Sequence, residues 1–195
     1  MRYAELRELI NADAYRYTGN NRLTSRLAQF IISPGFCFSW WMRVCRYLHE
    51  HTVLRILLPL AWLVYHRLQV KFGYGISYRS EIGGGLYLPH YGGINVSELA
   101  HIGCNCNLSQ LVTIGVSRRG EHAGVPVIGD AVYIGPGAVI FGAIKVGDRA
   151  AIGANCVVTK DVPADAVVVG ISGAVISYEG SAGYIHNTLS SNVDN

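Results

Sequence analysis

The chain has 195 residues and a formal net charge of +3, with half of its residues apolar and only 15% charged. So small and scattered a charge excludes the nucleic-acid binders built on basic patches, and no motif of that class is present. A half-apolar chain is unusual for a free monomer, so a buried oligomer face or a membrane-surface contact is expected. The length suits one main domain plus a smaller appendage.

Residues 2–17 read as a helix with Leu6, Leu9 and Ile10 on one side and charges on the other. This start is no secretory signal. Residues 18–24, with Gly19 and two Asn, read as a loop; an apolar stretch from Leu23 to Ile32 follows and is stopped by Ser33-Pro34-Gly35. The next helix spans Phe36 to Leu48, with Trp40, Trp41, Val44, Cys45 and Leu48 at three- and four-residue spacing and Arg43 and Arg46 on the other side. A last helix covers about 53–70. It is the most apolar run, but Arg55, Pro59, His66 and Arg67 interrupt it and make it a poor membrane span. Packing against its neighbours is one reading of this helix, and contact with a membrane surface is the other. Residues 1–72 are thus expected to form a small helical domain.

A different periodicity then takes over. Between Ile128 and Val158 an aliphatic residue recurs every six positions: Ile128, Ile134, Ile140, Val146, Ile152, Val158. Four residues after each anchor stands Val132, Ala138, Ile144, Ala150, Cys156 or Val162. A period of six fits neither a 3.6-residue helix nor a simple strand alternation, but it does fit a hexapeptide β-helix, in which each unit is one short strand plus a corner. The same beat starts faintly at Ile76, Ile82 and Leu88, slips by two residues around His90–Val96, and resumes at Val96, Ile102, Leu108 and Ile114. A second interruption, residues 116–126, adds eight residues; such insertions map to loops thrown out from one face. Residues 167–177 read as a last strand closing the coil, which places the β-helical domain at 73–177. Residues 178–195 are expected to be a polar tail, mobile from Ser181 onward.

Five cysteines without a CxxC pair read as small buried apolar residues in a reducing cytoplasm. No Cys/His cluster has metal-ligand spacing, so no metal is expected. His90 sits where the first slip occurs. It reads either as a turn residue or as a base, since imidazole titrates near neutrality and can take a proton from an attacking hydroxyl. Lys160, in Thr159-Lys160-Asp161, reads either as a solvated charge or as a phosphate contact.

Read together, Leu-Pro-His-Tyr-Gly-Gly-Ile (88–94), Ser-Gln-Leu-Val-Thr-Ile-Gly (109–115), a loop ending Pro-Val-Ile-Gly (126–129), Tyr-Ile-Gly-Pro-Gly-Ala (133–138) and Val-Val-Thr-Lys-Asp-Val-Pro (157–163) resemble the acyltransferases of the left-handed β-helix superfamily. The serine O-acetyltransferase group is the nearest, and the short helical front end looks like that of members from polysaccharide clusters. The resemblance implies a mainly-β fold, a left-handed parallel β-helix of hexapeptide repeats behind an N-terminal α-helical segment. It also implies a homotrimer with active sites between subunits, and acetyl-CoA in the inter-subunit groove. His90 would be the general base for direct transfer without an acyl-enzyme. Cofactor contacts would fall on Gly115 (a backbone N–H toward the oxyanion), Pro136, Ala154, Thr159 and Lys160.

The departures from the family pattern are specific. An Asp fifteen residues before the base is Gly75 here, an Asp directly before it is Pro89, and an Arg-His pair ahead of the loop's Pro aligns to Gly124 and Val125. On these losses the expected acceptor is a sugar hydroxyl of a surface polysaccharide or its lipid-linked precursor, with Glu98, Arg118, Arg119 and His122 as acceptor-binding candidates. Free L-serine is the alternative acceptor, and a non-catalytic trimeric scaffold is the alternative from another class. The expected location is the cytoplasm, with the inner face of the membrane as an option through the N-terminal helices.

Overall fold

Three short strands per turn, one on each face of a triangular coil, follow from a repeat that turns one side chain inward at every strand. The computed structural model describes residues 1–20, 22–119, 122–171, 173–181 and 185–188. Face A stacks β1 (Tyr74–Ile76), β3 (Ile94–Val96), β6 (Thr113–Gly115), β9 (Val139–Phe141) and β12 (Val157–Val158) in parallel. Face B stacks β2 (Glu81–Ile82), β4 (His101–Ile102), β7 (Val127–Ile128) and β10 (Lys145–Val146). Face C stacks β5 (Asn107–Leu108), β8 (Tyr133–Ile134), β11 (Ala151–Ile152) and β13 (Val167–Val169). The inward ladder of face A, Ile76, Val96, Ile114, Ile140 and Val158, is buried throughout, as are Ile82, Ile102, Ile128 and Val146 on face B. The chain is a left-handed hexapeptide β-helix, as its period requires.

The pairing register locates both interruptions. Val139 pairs with Val157 at the undisturbed spacing of eighteen residues, whereas Tyr74 pairs with Ile94 at twenty and Thr113 with Val139 at twenty-six. The corners repeat as well. Asn105, Ala131, Arg149 and Asp165 occupy one corner position with φ between 54° and 61°. Each donates its backbone N–H to the coil before it, so the energetic cost of the left-handed conformation is offset by a hydrogen bond. The close of the coil differs from the single strand expected over 167–177. The chain turns at Gly170 (φ 95°), and β14 (Ala174–Ser177) runs back antiparallel to β13. Of the expected tail, Gly180 and Ser181 are buried, and the Ser181 hydroxyl donates to the Ala131 carbonyl at 2.6 Å; residues 182–184 and 189–195 lie outside the described residues.

Ahead of the coil stand α1 (Tyr3–Thr18), α2 (Leu23–Ile32), α3 (Pro34–Glu50), a 3₁₀ turn (Leu54–Leu57) and α4 (Leu58–Phe72). Pro34 opens α3 at a position where its missing N–H costs nothing. Gly73, left-handed at φ 68°, ends α4 and hands the chain directly to β1. Phe38 packs its ring on Tyr65 and Tyr74, with centroids 5.3 and 4.8 Å away, so α3 and α4 cover the apolar end of the first coil. The attachment is also ionic. Arg43, expected on the polar side of its helix, is buried and pairs with the buried Asp13 at 3.2 Å. Asp13 accepts the Gly85 and Leu86 N–H groups at 2.8 and 2.9 Å, while Arg43 donates to the Ile82 and Gly83 carbonyls. Two helices thus grip the first face B to face C corner from both sides. Among the described residues, no helix is long and apolar enough to cross a membrane.

Candidate active site

The extra two residues of the first coil form the corner between faces C and A, and His90 sits on it. Gly92 (φ 109°) and Gly93 (φ 68°) supply the reversal, and a side chain at Gly93 would meet Leu111 Cδ2 at 2.7 Å. Three backbone bonds fix the loop: Gly92 N–H to Phe72 O, Ile94 N–H to Gly73 O, and Leu111 N–H to Gly92 O. Tyr74 hydroxyl faces the His90 carbonyl at 3.4 Å, and burial holds that phenol well above its ordinary range, so it remains a donor. The His90 imidazole itself is exposed and has no hydrogen-bond partner among the described residues. A recess of about 220 Å³ lies beside it, lined by Tyr17, Tyr74, Tyr87, Pro89, Tyr91 and residues 32–35.

The register sorts the other candidates onto two corners. Above His90, the face C to face A corner carries residues 109–112, then Pro136, then Ala154. Gly137 N–H bonds the Gln110 carbonyl and Asn155 N–H bonds the Pro136 carbonyl, so Gln110, Pro136 and Ala154 form one column. The Ala154 N–H donates to no acceptor among the described residues and stands at an exposed position, free for a ligand carbonyl. Gln110 was not singled out by the sequence. Its Oε1 is buried without a hydrogen-bond partner among the described residues, one coil from His90. The only hint in the sequence is a polar side chain amid an apolar beat.

The opposite edge of face A, its corner with face B, carries Glu98, the 116–126 loop that begins just after Gly115, and Thr159-Lys160. Glu98 accepts from Ser77 Oγ at 2.7 Å and lies 3.9 Å from Arg79. The loop leaves as a hairpin: Ser117 and Gly124 exchange backbone bonds at 2.9 and 2.8 Å, and Ala143 N–H bonds the His122 carbonyl at 2.9 Å. Arg118, Arg119, His122 and Lys160 are exposed, and the three cations make no ion pair among the described residues; residues 120–121 lie outside them. Within one chain, then, His90, Pro136 and Ala154 stand on one edge of face A, and Gly115, Glu98, the loop and Lys160 on the other. A single subunit does not bring the two sets together. A larger cleft of about 1290 Å³ between α1 and face B touches none of these residues. Among the described residues no group of His, Cys, Asp and Glu could hold a metal ion.

Two of the departures from the family pattern have structural causes. The side-chain oxygen of Asn95 fills the space where a Cβ at Gly75 would stand. Gly124 has φ 142°, and a Cβ there would come within 2.8 Å of Ala143 Cβ. An acid at position 75 would require Asn95 to move, and an Arg at 124 would strain the backbone and press on Ala143.

The model for bacterial transferase hexapeptide (six repeats) matches residues 126–160. A serine acetyltransferase of Synechococcus elongatus is 33% identical over 148 residues, which is 75% of this chain and 59% of that protein, so the chain spans about three fifths of its length. Soybean serine acetyltransferase complexed with serine matches with a TM-score of 0.73 and 31% identity, over 89% of this chain and 70% of that one. A serine acetyltransferase in complex with CoA matches with a TM-score of 0.71 and 27% identity, over 89% and 70%. These relatives overturn the expectation of a polysaccharide sugar as acceptor, because they are serine enzymes. At Gly124, where a gapless alignment puts the pattern's Arg, φ is 142° and a Cβ would stand 2.8 Å from Ala143 Cβ, so a side chain there is strained.

Proposed function

Because the chain belongs to the bacterial transferase hexapeptide family and is homologous to its serine acetyltransferases, we propose that it transfers the acetyl group of acetyl-CoA to the hydroxyl of L-serine. The observation that carries this reading is the match, over nine-tenths of the chain, to an enzyme solved with serine bound. His90 is the base of the reaction. Its unprotonated nitrogen takes the serine hydroxyl proton as that oxygen attacks the thioester carbonyl. The oxyanion so formed collapses, the C–S bond breaks, and the CoA thiolate recovers the proton from the imidazolium, leaving O-acetylserine and CoA. Such a path needs no acyl-enzyme, because proximity of the two substrates supplies most of what a covalent intermediate would.

The division of candidates between two edges of face A supports a trimer in which the His90 edge of one subunit meets the loop edge of the next. In that groove the Ala154 N–H offers a backbone donor to the pantetheine arm, while Gly115, paired with Phe141 in the β6–β9 ladder, marks the edge of face A next to the loop. Lys160, with Thr159 beside it, meets the nucleotide phosphates, and Pro136 contributes only ring or carbonyl. The loop cations Arg118 and Arg119, with His122 and Glu98, suit a zwitterion: a guanidinium for the serine carboxylate and a carboxylate for its ammonium.

The test is release of CoA from acetyl-CoA by the purified chain, with L-serine, other hydroxyl amino acids and a panel of sugars in parallel. Serine-dependent release with recovery of O-acetylserine is expected. No release with serine at saturating acetyl-CoA would overturn the proposal.

A further inference from the structure

The helical end of the molecule leaves an apolar surface that neither its own core nor the proposed active site uses. Just before the 3₁₀ turn, within it and in α4, Val53, Ile56, Leu60 and Val70 are 69–85% exposed, and Leu57, Trp62 and Leu63 are 42–52% exposed. Leu60, Leu63, Arg67 and Val70 follow one another at three- and four-residue intervals, and Lys71 stands four after Arg67, so they share one side of α4, while Ala61 and Tyr65 occupy its buried side. Arg55, Arg67 and Lys71 border this surface and make no ion pair among the described residues. Between Asp13 and Glu81 the sequence holds nine Arg and Lys but a single acid, Glu50, which is already engaged by Arg46 and the N-terminal amine.

An apolar strip edged by unpaired cations matches a surface that is itself apolar beneath a negative layer. We propose that this face of the 3₁₀ turn and α4 lies on an anionic phospholipid bilayer, with Leu60, Leu63 and Ile56 in the acyl boundary and Arg55, Arg67 and Lys71 among the headgroup phosphates. Trp62, at the margin of the strip, has the amphipathic ring that settles at that boundary. α4 is too short to cross the bilayer and therefore rests on it. A second copy of the chain suits the face less well: an isologous contact sets Arg55, Arg67 and Lys71 against their own equivalents with no acid to pair them. The proposal is independent of which hydroxyl the enzyme acetylates.

The purified full chain is sedimented with vesicles of phosphatidylcholine alone and of phosphatidylcholine mixed with phosphatidylglycerol. Binding to the mixed vesicles, weakened by salt and much poorer on phosphatidylcholine, is expected. Each surface cation contributes roughly fivefold to partitioning, so R67Q/K71Q lowers binding to mixed vesicles by about 25-fold. L60Q/L63Q lowers it on both compositions, and its positions are exposed, so its melting temperature and oligomer mass stay those of the parent. Failure of the parent chain to sediment with mixed vesicles overturns the proposal. So does a concentration-dependent assembly that L60Q/L63Q abolishes in the absence of vesicle binding, which would assign the face to a second copy.

Discussion

Replacing Asp13 by Ala removes the anion at the centre of the joint between helices and coil, and its cost can be worked from the contacts. The carboxylate is fully buried, accepts two backbone N–H groups at 2.8 and 2.9 Å, and faces the Arg43 guanidinium at 3.2 and 3.3 Å. Its loss leaves Arg43 buried with only the Ile82 and Gly83 carbonyls, and breaking a buried pair from one side costs about 3–5 kcal/mol. The orphaned Gly85 and Leu86 N–H groups add up to about 1–3 kcal/mol each unless water fills the gap. A loss of about 4 kcal/mol is therefore a cautious expectation, and at 2–4 °C per kcal/mol it amounts to roughly 8–16 °C in melting temperature. Urea and thermal unfolding should be followed by circular dichroism at one fixed protein concentration, since assembly shifts the apparent stability. Asp13→Asn, which keeps an acceptor for the two N–H groups but not the charge, should fall between parent and Ala variant. A loss below about 1 kcal/mol for Asp13→Ala would refute the reasoning, because it would mean that the anion is not what holds Arg43 in the interior.

His90→Ala should lower acetyl transfer by about 10²–10⁴-fold, the usual worth of a positioned base, with CoA binding by calorimetry and oligomer mass unchanged; an undiminished rate would place the base elsewhere. Lys160→Ala should raise the acetyl-CoA KM with little change in kcat, and an unchanged KM would reduce Lys160 to a surface charge. If the groove is shared between subunits, mixed trimers of those two variants, assayed at an acetyl-CoA concentration well below the KM of the Lys160→Ala variant, are more active than either homotrimer, and mixtures no better than the two parents would refute a shared groove. Gly124→Ala forces a Cβ toward Ala143 at a φ that suits glycine. It should cost about 1–3 kcal/mol in stability and raise the serine KM by displacing the 116–126 loop, measurable in the CoA-release assay.

The six-residue beat made the coil readable because every strand obeys the same demand: one aliphatic side chain must point into a core too narrow for anything else. Ile134, Ile140 and Ile152, three of the six anchors, are all fully buried. The lengths of both interruptions were readable for the same reason, since a coil of twenty or twenty-six residues must still return Ile94 over Tyr74 and Val139 over Thr113. Arg43 was misplaced because helical periodicity reports only which side of a helix is apolar. It cannot report that a glycine corner at 83–85 comes close enough to present two carbonyls to a guanidinium and two N–H groups to Asp13. The run Gly83-Gly84-Gly85 was the available signal, and a Cβ at Gly84 would indeed meet Ala12 at 3.1 Å. The reversal into β14 was likewise hidden, because Val167–Val169 and Ala174–Ser177 are both apolar, and the direction of the second is set by the turn after Gly170 rather than by its own residues.

The expectation of a sugar acceptor treated an aligned position as if it were a place in space. In a β-helix the inward ladder fixes each coil's register, so residues such as Ile128 and Ile134 can be matched to a relative one for one. The 116–126 loop has no such constraint beyond its anchors, the Ser117–Gly124 bridge and the His122 carbonyl on Ala143. Between those anchors a cation can shift by several residues and still reach the same point, because the hairpin, not the sequence number, sets where Arg118 and Arg119 stand. Gly124 lies at the hairpin's base, where a Cβ would press on Ala143 at a φ that suits glycine, so a cation there is disfavoured in this loop. Conversely, a lost side chain is informative where the backbone is held by the core. Gly75 is such a position, and there Asn95 occupies the space on the outside of face A that an acid at 75 would need. Substitution on the ladder therefore reports on the site, whereas substitution within the loop reports mainly on the path the loop takes to it.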